Sequence, residues 1–508
     1  MINNFLFAIA FLFFNLFSFS AVSKVSPTEY LKKVSKIIER GDYLLGSREL
    51  YRLGRGSYFK KNRVQIKYTL GIAFLEMKLY HLASLQFVYV IRNDKRGKYK
   101  GRALEKLSFI LDYFKGDLLF CPLINEVKEY DYPNSVKSQL SFYFGKCAFS
   151  KKNFRKARSY FSKVSSSSPI YDRALYYKAL SYAEENKVNS SANAFRQLAS
   201  LKIGITDTNR VAALMGLARV LYQGEKFDDS IQVYRSIPKD TPYFYDSLLE
   251  NSWNYLRSGK FRSALSNFQS LHSIFYGDRY QPESLILRAY VYLYICKYYE
   301  MEKVLNFFNA IYKPILNEVT RSLKGNKNYN SYVKSALTYV KNKQDGFNLS
   351  NDETLPKPIM EKVLKNDKFY SLINYLVKLN QEKDLLDSFP AEWKRDRVGR
   401  NAYYILNRRI KTTQNTAGKE IYSNLRAVKS DLERLYTSSQ YLKYDMLKGK
   451  RDYLKKKISR KYLDKIQIDE KITRSYYIQN GYEYWPFDGE AWLDELGNYH
   501  YLGRQNCE

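Results

Sequence analysis

Residues 137–169 read KSQLSFYFGKCAFSKKNFRKARSYFSKVSSSSP, and their spacing decides the fold. Gly145 is followed twelve positions on by Ala157 and four beyond that by Phe161. Lys151-Lys152-Asn153 forms a polar break between the two small residues, and Pro169 closes the unit. Two helices cross closely only where neither carries bulk, and a ring one turn past the crossing fills the groove to the next pair. The stretch therefore predicts a helical hairpin that stacks on copies of itself.

The same spacing recurs outward from it. Gly71, Ala83 and Phe87; Ala179, Ser191 and Phe195; Ala218, Ser230 and Tyr234; and Ser252, Ala264 and Phe268 repeat the pattern. Nine residues after the first small position lies a further apolar side chain: Tyr80, Phe154, Val188, Phe227 and Phe261. The anchors Phe161, Phe195, Tyr234 and Phe268 stand 34, 39 and 34 residues apart, and Phe87 precedes Phe161 by 74, two units with a degenerate repeat between. Gly224-Glu225-Lys226 and Ser258-Gly259-Lys260 supply further turns. In period and register residues 27–320 resemble the tetratricopeptide-repeat family. A fainter copy around Ser47 and Tyr51 starts the array, and the stretch Ala289 to Phe308 ends it.

That resemblance implies an all-α solenoid whose first helices line a concave groove for a peptide or protein. Tyr68, Tyr176, Tyr182, Arg219, Tyr222, Tyr255 and Arg257 are the candidates to reach it. Tyrosine offers contact area with a hydroxyl at small entropic cost, and arginine grips a carboxylate in two places. The carboxylate-clamp pattern of some family members has no counterpart at matching positions.

The 508-residue chain carries 84 Lys and Arg against 51 Asp and Glu, a net charge of +33 that attracts polyanions. Residues 1–23 hold an uncharged apolar run followed by small residues, which reads as a secretory signal peptide; an uncleaved inner-membrane anchor is the alternative. Export to the periplasm or beyond sets aside nucleic acid and leaves envelope proteins, anionic lipid, lipopolysaccharide or peptidoglycan as partners. Four cysteines are too few for a disulfide scaffold in a chain of this length. Cys147 and Cys296 are expected within helices as small buried hydrophobes.

Past the repeats (24–320), residues 321–358 read as a linker or inserted loop around one helix, Tyr332 to Lys343, and 359–390 as a helix pair. Residues 391–480 are free of proline up to Pro486, and Leu425, Val428, Leu432, Leu435, Leu442 and Met446 follow three-four spacing, broken at Ser439. This predicts a short coiled coil or a long helical hairpin. Its other face is basic, with Lys448, Lys450, Arg451, Lys455, Lys456, Lys457, Arg460 and Lys461 interleaved by tyrosines. The cluster is a candidate polyanion site or a solvated face.

The segment 481–508 is aromatic and acidic. It folds back on the basic helix or offers Trp485, Phe487 and Trp492 to an envelope partner. It also resembles tails of repeat proteins in gliding-machinery clusters of gliding and predatory bacteria. Catalytic chemistry finds no footing. His81, His272 and His500 are scattered without metal-ligand spacing, and no phosphate loop, nucleophile elbow or paired cysteine motif is present. The expectation is a non-enzymatic scaffold without cofactor or metal.

Overall fold

The computed structural model describes residues 26–114, 121, 127–128, 131–201, 205–276, 279–324, 329–345, 355–461 and 492–499. Residues 1–23, read as a signal peptide, and the tail residues Trp485 and Phe487 lie outside them, and for Lys457, Arg460 and Lys461 only the backbone is described. The described residues form an all-α, tetratricopeptide-like array followed by a long C-terminal helix.

The array comprises α1 (Pro27–Glu39), α2 (Tyr43–Arg55), α3 (Arg63–Glu76), α4 (Tyr80–Asn93), α5 (Lys100–Phe114), α6 (Lys137–Ser150), α7 (Phe154–Phe161), α8 (Tyr171–Ala183), α9 (Val188–Ala199), α10 (Asp207–Gln223), α11 (Phe227–Arg235), α12 (Phe244–Arg257), α13 (Phe261–Leu271), α14 (Pro282–Tyr294) and α15 (Tyr298–Lys324). After it come α16 (Asn330–Asp345), α17 (Lys357–Leu364), α18 (Asp367–Asp387), α19 (Ala391–Arg395) and α20 (Arg397–Lys461).

Seven hairpins share one turn. Seven residues after the first position of the pattern, small in every hairpin but the opening one, Gly41, Lys78, Lys152, Asn186, Glu225, Gly259 and Cys296 adopt positive φ between 55° and 87°. The next residue's N–H then donates to the carbonyl five positions back: Asp42 to Ile37, Leu79 to Phe74, Asn153 to Ala148, Lys187 to Tyr182, Lys226 to Leu221, Lys260 to Tyr255 and Lys297 to Tyr292, at 2.7–3.2 Å. This left-handed cap ends the first helix and reverses the chain within three residues. Only two of the seven positions are glycine.

The crossings behave as the spacing requires. A Cβ on Gly71 would lie 2.8 Å from the Phe87 ring, and one on Gly145 would collide with Phe161. Where serine takes the second small position its hydroxyl satisfies the backbone across the crossing: Ser191 donates to Ala179 O and Ser230 to Ala218 O, each at 2.8 Å. Phe87, Phe161, Phe195, Tyr234 and Phe268 are all buried. The Phe195 ring also seats against Gly216 of the following hairpin, the seam between units that the repeat demands.

At the two ends the register differs from the sequence reading. The opening unit is Val34, Tyr43, Gly46 and Leu50, one residue earlier than Ser47 and Tyr51, and Gly46 packs against Ile38. The closing unit is Ala289, Tyr298, Met301 and Leu305, with methionine at the small position and fully buried. Cys296 is not helical: it occupies the left-handed turn position. Cys147 is helical and fully buried as expected, but it, Cys121 and Cys296 are disulfide-bonded and not plain small hydrophobes.

The chain divides into two units, residues 1–144 with 374–414, and 145–373 with 415–508. In the first, the C-terminal half of α18 and α19 pack on the opening hairpins. Trp393 is 1% exposed and its indole N–H donates to Ser47 Oγ at 2.9 Å. Phe114 meets the Tyr375 ring edge-on at 5.0 Å between centroids.

In the second unit α20 lays a continuous apolar stripe on its neighbours. Leu425, Val428, Leu432, Leu435, Leu442 and Met446 are all buried, and so is Ser439, whose hydroxyl donates to Tyr436 O. Their supports are helices of the repeat unit and its sequel. Gly449 lets α20 meet the Tyr298 ring of α15, Tyr422 stacks near Tyr329, and Lys368 of α18 pairs with Glu420 at 2.6 Å.

Candidate functional site: the first-helix face of the second unit

The candidate groove residues do not share one fate. Tyr68 lies in the first unit, half-buried between the Phe87 and Tyr99 rings. In the second unit Tyr176 of α8 packs edge-on against Phe195, and Tyr182 carries the Arg158 guanidinium 4.6 Å above its ring. Tyr222 meets Phe227 at its own turn, and Arg257 lies over the same Phe227 ring at 5.5 Å while facing Glu225. Tyr255 is only 8% exposed and belongs to the hairpin core, so it does not reach a groove.

Arg219 is the sharpest departure from expectation. Its Nε and Nη2 both donate to Glu250 at 2.7 Å, and the Tyr234 hydroxyl donates to the same carboxylate at 2.8 Å. This fork raises the Arg219 guanidinium above its ordinary range through its hydrogen bonds to Glu250, while burial first and then the Glu250 charge raise the Tyr234 phenol. A grip on a carboxylate is present, and the chain's own α12 fills it.

Further along the same face the C-terminal segment is held by charge. Lys365 donates to both oxygens of Asp246 at 3.0 and 3.2 Å, Arg279 stands 3.8 Å from Glu361, and the Tyr339 hydroxyl donates to Glu361 at 3.1 Å. A cavity of about 300 Å³ remains between α12 and α17, lined by Asp246, Glu250, Arg279, Glu361 and Lys365 among others. Lys365 and Asp246 stand 119 residues apart, which made that pair illegible in sequence. Tyr176 of α8 and Tyr222 of α10 stay partly exposed.

The basic helix and the tail fall elsewhere in this unit. Lys450 is committed to Glu302 of α15 at 2.7 Å, and Arg451 to its neighbour Asp452 at 2.9 Å. Lys448, Lys455 and Lys456 are exposed. The described part of the tail docks on α12 and α13 instead of the basic helix: Leu496 is fully buried, Gly497 N donates to Ser270 Oγ at 2.6 Å, and Lys239 donates to Asp494 O. Trp492 stays 59% exposed.

In the first unit sequence reasoning missed a buried polar cluster. Glu382 of α18 accepts from the N–H groups of His81 (2.9 Å) and Leu82 (3.3 Å), capping α4, whose own N-cap residue Leu79 has no side chain to do so. Burial nevertheless pushes the Glu382 carboxyl up to about 8. The Tyr375 hydroxyl accepts from Arg409 Nε at 3.2 Å and shares a hydrogen bond with His81 Nδ1 at 3.0 Å. Burial, then the Arg409 charge, lowers His81 to about 3. The clue in sequence was position: Glu382 shares the three-four stripe of Tyr375, Leu379 and Leu386, all buried.

The geometry defines a class, the tetratricopeptide-like array of antiparallel hairpins. No family model matches the chain, and no curated protein matches it. Among solved structures it is similar to a tetratricopeptide repeat protein from Parabacteroides merdae, at 13% identity and a TM-score of 0.32, covering 49% of this chain and 93% of that one. It is also similar to the tetratricopeptide-repeat domain of P58(IPK), at 11% identity and a TM-score of 0.19, covering 76% of this chain and 99% of that one.

Proposed function

We propose that the protein is a non-enzymatic scaffold of a bacterial envelope complex that holds a protein partner on the first-helix face of its repeats. The observation that carries this reading is the pair of partly exposed tyrosines on α8 and α10. There Tyr176 and Tyr222 keep part of their rings at the surface, while charge pairs with the chain's own C-terminal segment lie over α12. A partner is accommodated beside the internal segment, gripped by rings and not by the Arg219 fork. Export is supported by the apolar run of residues 1–23 and by the disulfide-bonded state of Cys121, Cys147 and Cys296, since such bonds persist in oxidising compartments.

Two measurements test this. A photo-cross-linking residue at Tyr176 or Tyr222 in intact cells should trap one discrete envelope protein, and the same probe at Asn193, exposed on α9, should not. Equal yields at all three positions, or none, reject the groove. Alkylation of the protein without reductant should leave Cys147 and Cys296 unlabelled; free thiols at both would reject export.

A further inference from the structure

Burial along α20 separates two faces that composition alone does not distinguish. One is the buried stripe ending at Leu442 and Met446. The rest of the circumference, within one short stretch, leaves Tyr441 69%, Tyr444 68%, Leu447 53% and Leu454 52% exposed. At 100° per residue Tyr441, Tyr444, Lys448 and Lys455 fall within about 60° of one another, with Leu447 and Leu454 on the flank. Lys448 and Lys455 have no ion-pair partner among the described residues, unlike Lys450 and Arg451.

We infer that this outer face of α20 is a docking surface for an anionic lipid bilayer, with the helix lying in the plane of the headgroups. Solvation of a basic helix needs lysine, and it does not need four large apolar side chains exposed within one short stretch; an exposed patch of that kind marks an interaction site, even with Asp445 exposed beside Lys448. Lysine flanked by tyrosine and leucine matches the chemistry of a membrane interface: ammonium groups at the phosphates, amphipathic rings at headgroup level and leucine at the acyl boundary. A sugar polymer would satisfy the rings and charges but gives the leucines nothing to bury against. The opposite face remains seated on α15 through Gly449 and Lys450, so docking requires no unfolding. This surface is independent of the partner face on α8 and α10.

The test is co-sedimentation of the full-length chain, freed of residues 1–23, with phosphatidylcholine vesicles containing or lacking phosphatidylglycerol. Binding should require the anionic lipid and weaken with salt, and Lys448→Glu with Lys455→Glu should lower it by well over tenfold, at about fivefold per lysine lost or more on reversal. Leu447→Ser with Leu454→Ser should remove the part that survives high salt. All four side chains are exposed, so an unchanged thermal melt verifies folding. Equal binding to neutral vesicles, absence of binding, or salt-sensitive capture by purified peptidoglycan that the leucine variants leave intact overturns the inference, the last by assigning the face to a polymer.

Discussion

At the scale of single residues, the crossings are set by absence of bulk. Gly71 faces Phe87 so closely that a methyl group would stand 2.8 Å from the ring, and the ring is fully buried with nowhere to retreat. Gly71→Ala should therefore destabilise the first unit by about 1–3 kcal/mol, the usual range for overpacking, read as a lower urea midpoint with an unchanged slope. Phe195→Ala in the second unit removes the ring that seals two hairpins at once and should cost about 3–5 kcal/mol. Titration adds a pH dependence. Glu382 has its folded value raised from 4.5 to about 8, so its contribution is intact below 4.5 and is lost as pH rises through 8. His81 and His272, both lowered by burial to about 3, act in the opposite window: their contribution is present above 6.5 and is lost as pH falls toward 3. The melting temperature of the wild-type protein should thus fall on both sides of a maximum near neutral to mildly acidic pH. Glu382→Gln keeps an acceptor for the helix cap while removing the ionisation, and should flatten the alkaline side alone.

At the scale of elements, the hairpin turn is where sequence and geometry conflict. Lys78, Lys152, Asn186, Glu225 and Cys296 hold a left-handed backbone that costs a residue with a Cβ roughly 1–2 kcal/mol, against about 0.5–1 kcal/mol of extra entropy loss for glycine. Glu225→Gly should consequently stabilise the second unit by about 0.5–1 kcal/mol, visible as a rise in melting temperature. The rest of each hairpin compensates, because the capped carbonyl and the apolar residue that starts the second helix hold the turn from both sides. Helix α20 shows the complementary rule. Its stripe is long enough for a coiled coil, yet its seat is a set of shorter helices, with Gly449 admitting the Tyr298 ring and Gly418 lying against Tyr329.

At the scale of the whole molecule, the described helices after residue 324 are part of each unit's core. Trp393, Glu382 and Tyr375 complete the first unit, and α17, the start of α18 and most of α20 complete the second. A chain ending at residue 324 should therefore melt well below the full-length protein and bind a hydrophobic dye that the intact protein excludes. Retention of the full melting temperature would show that the repeats stand alone.

The helical hairpins, their period and their seams were determined by local spacing, since a small residue, a turn and a ring within one unit interact through neighbours along the chain. The two end units slipped because Gly46 lacks an aromatic anchor and Met301 replaces the small residue, so the local signal fades there. What covers the first-helix face, which carboxylate fills the Arg219 fork, which acid caps α4 and which helices seat the α20 stripe were decided by tertiary structure alone. Each depends on residues brought together from far along the chain, and no local spacing encodes a partner whose distance in sequence is free to vary.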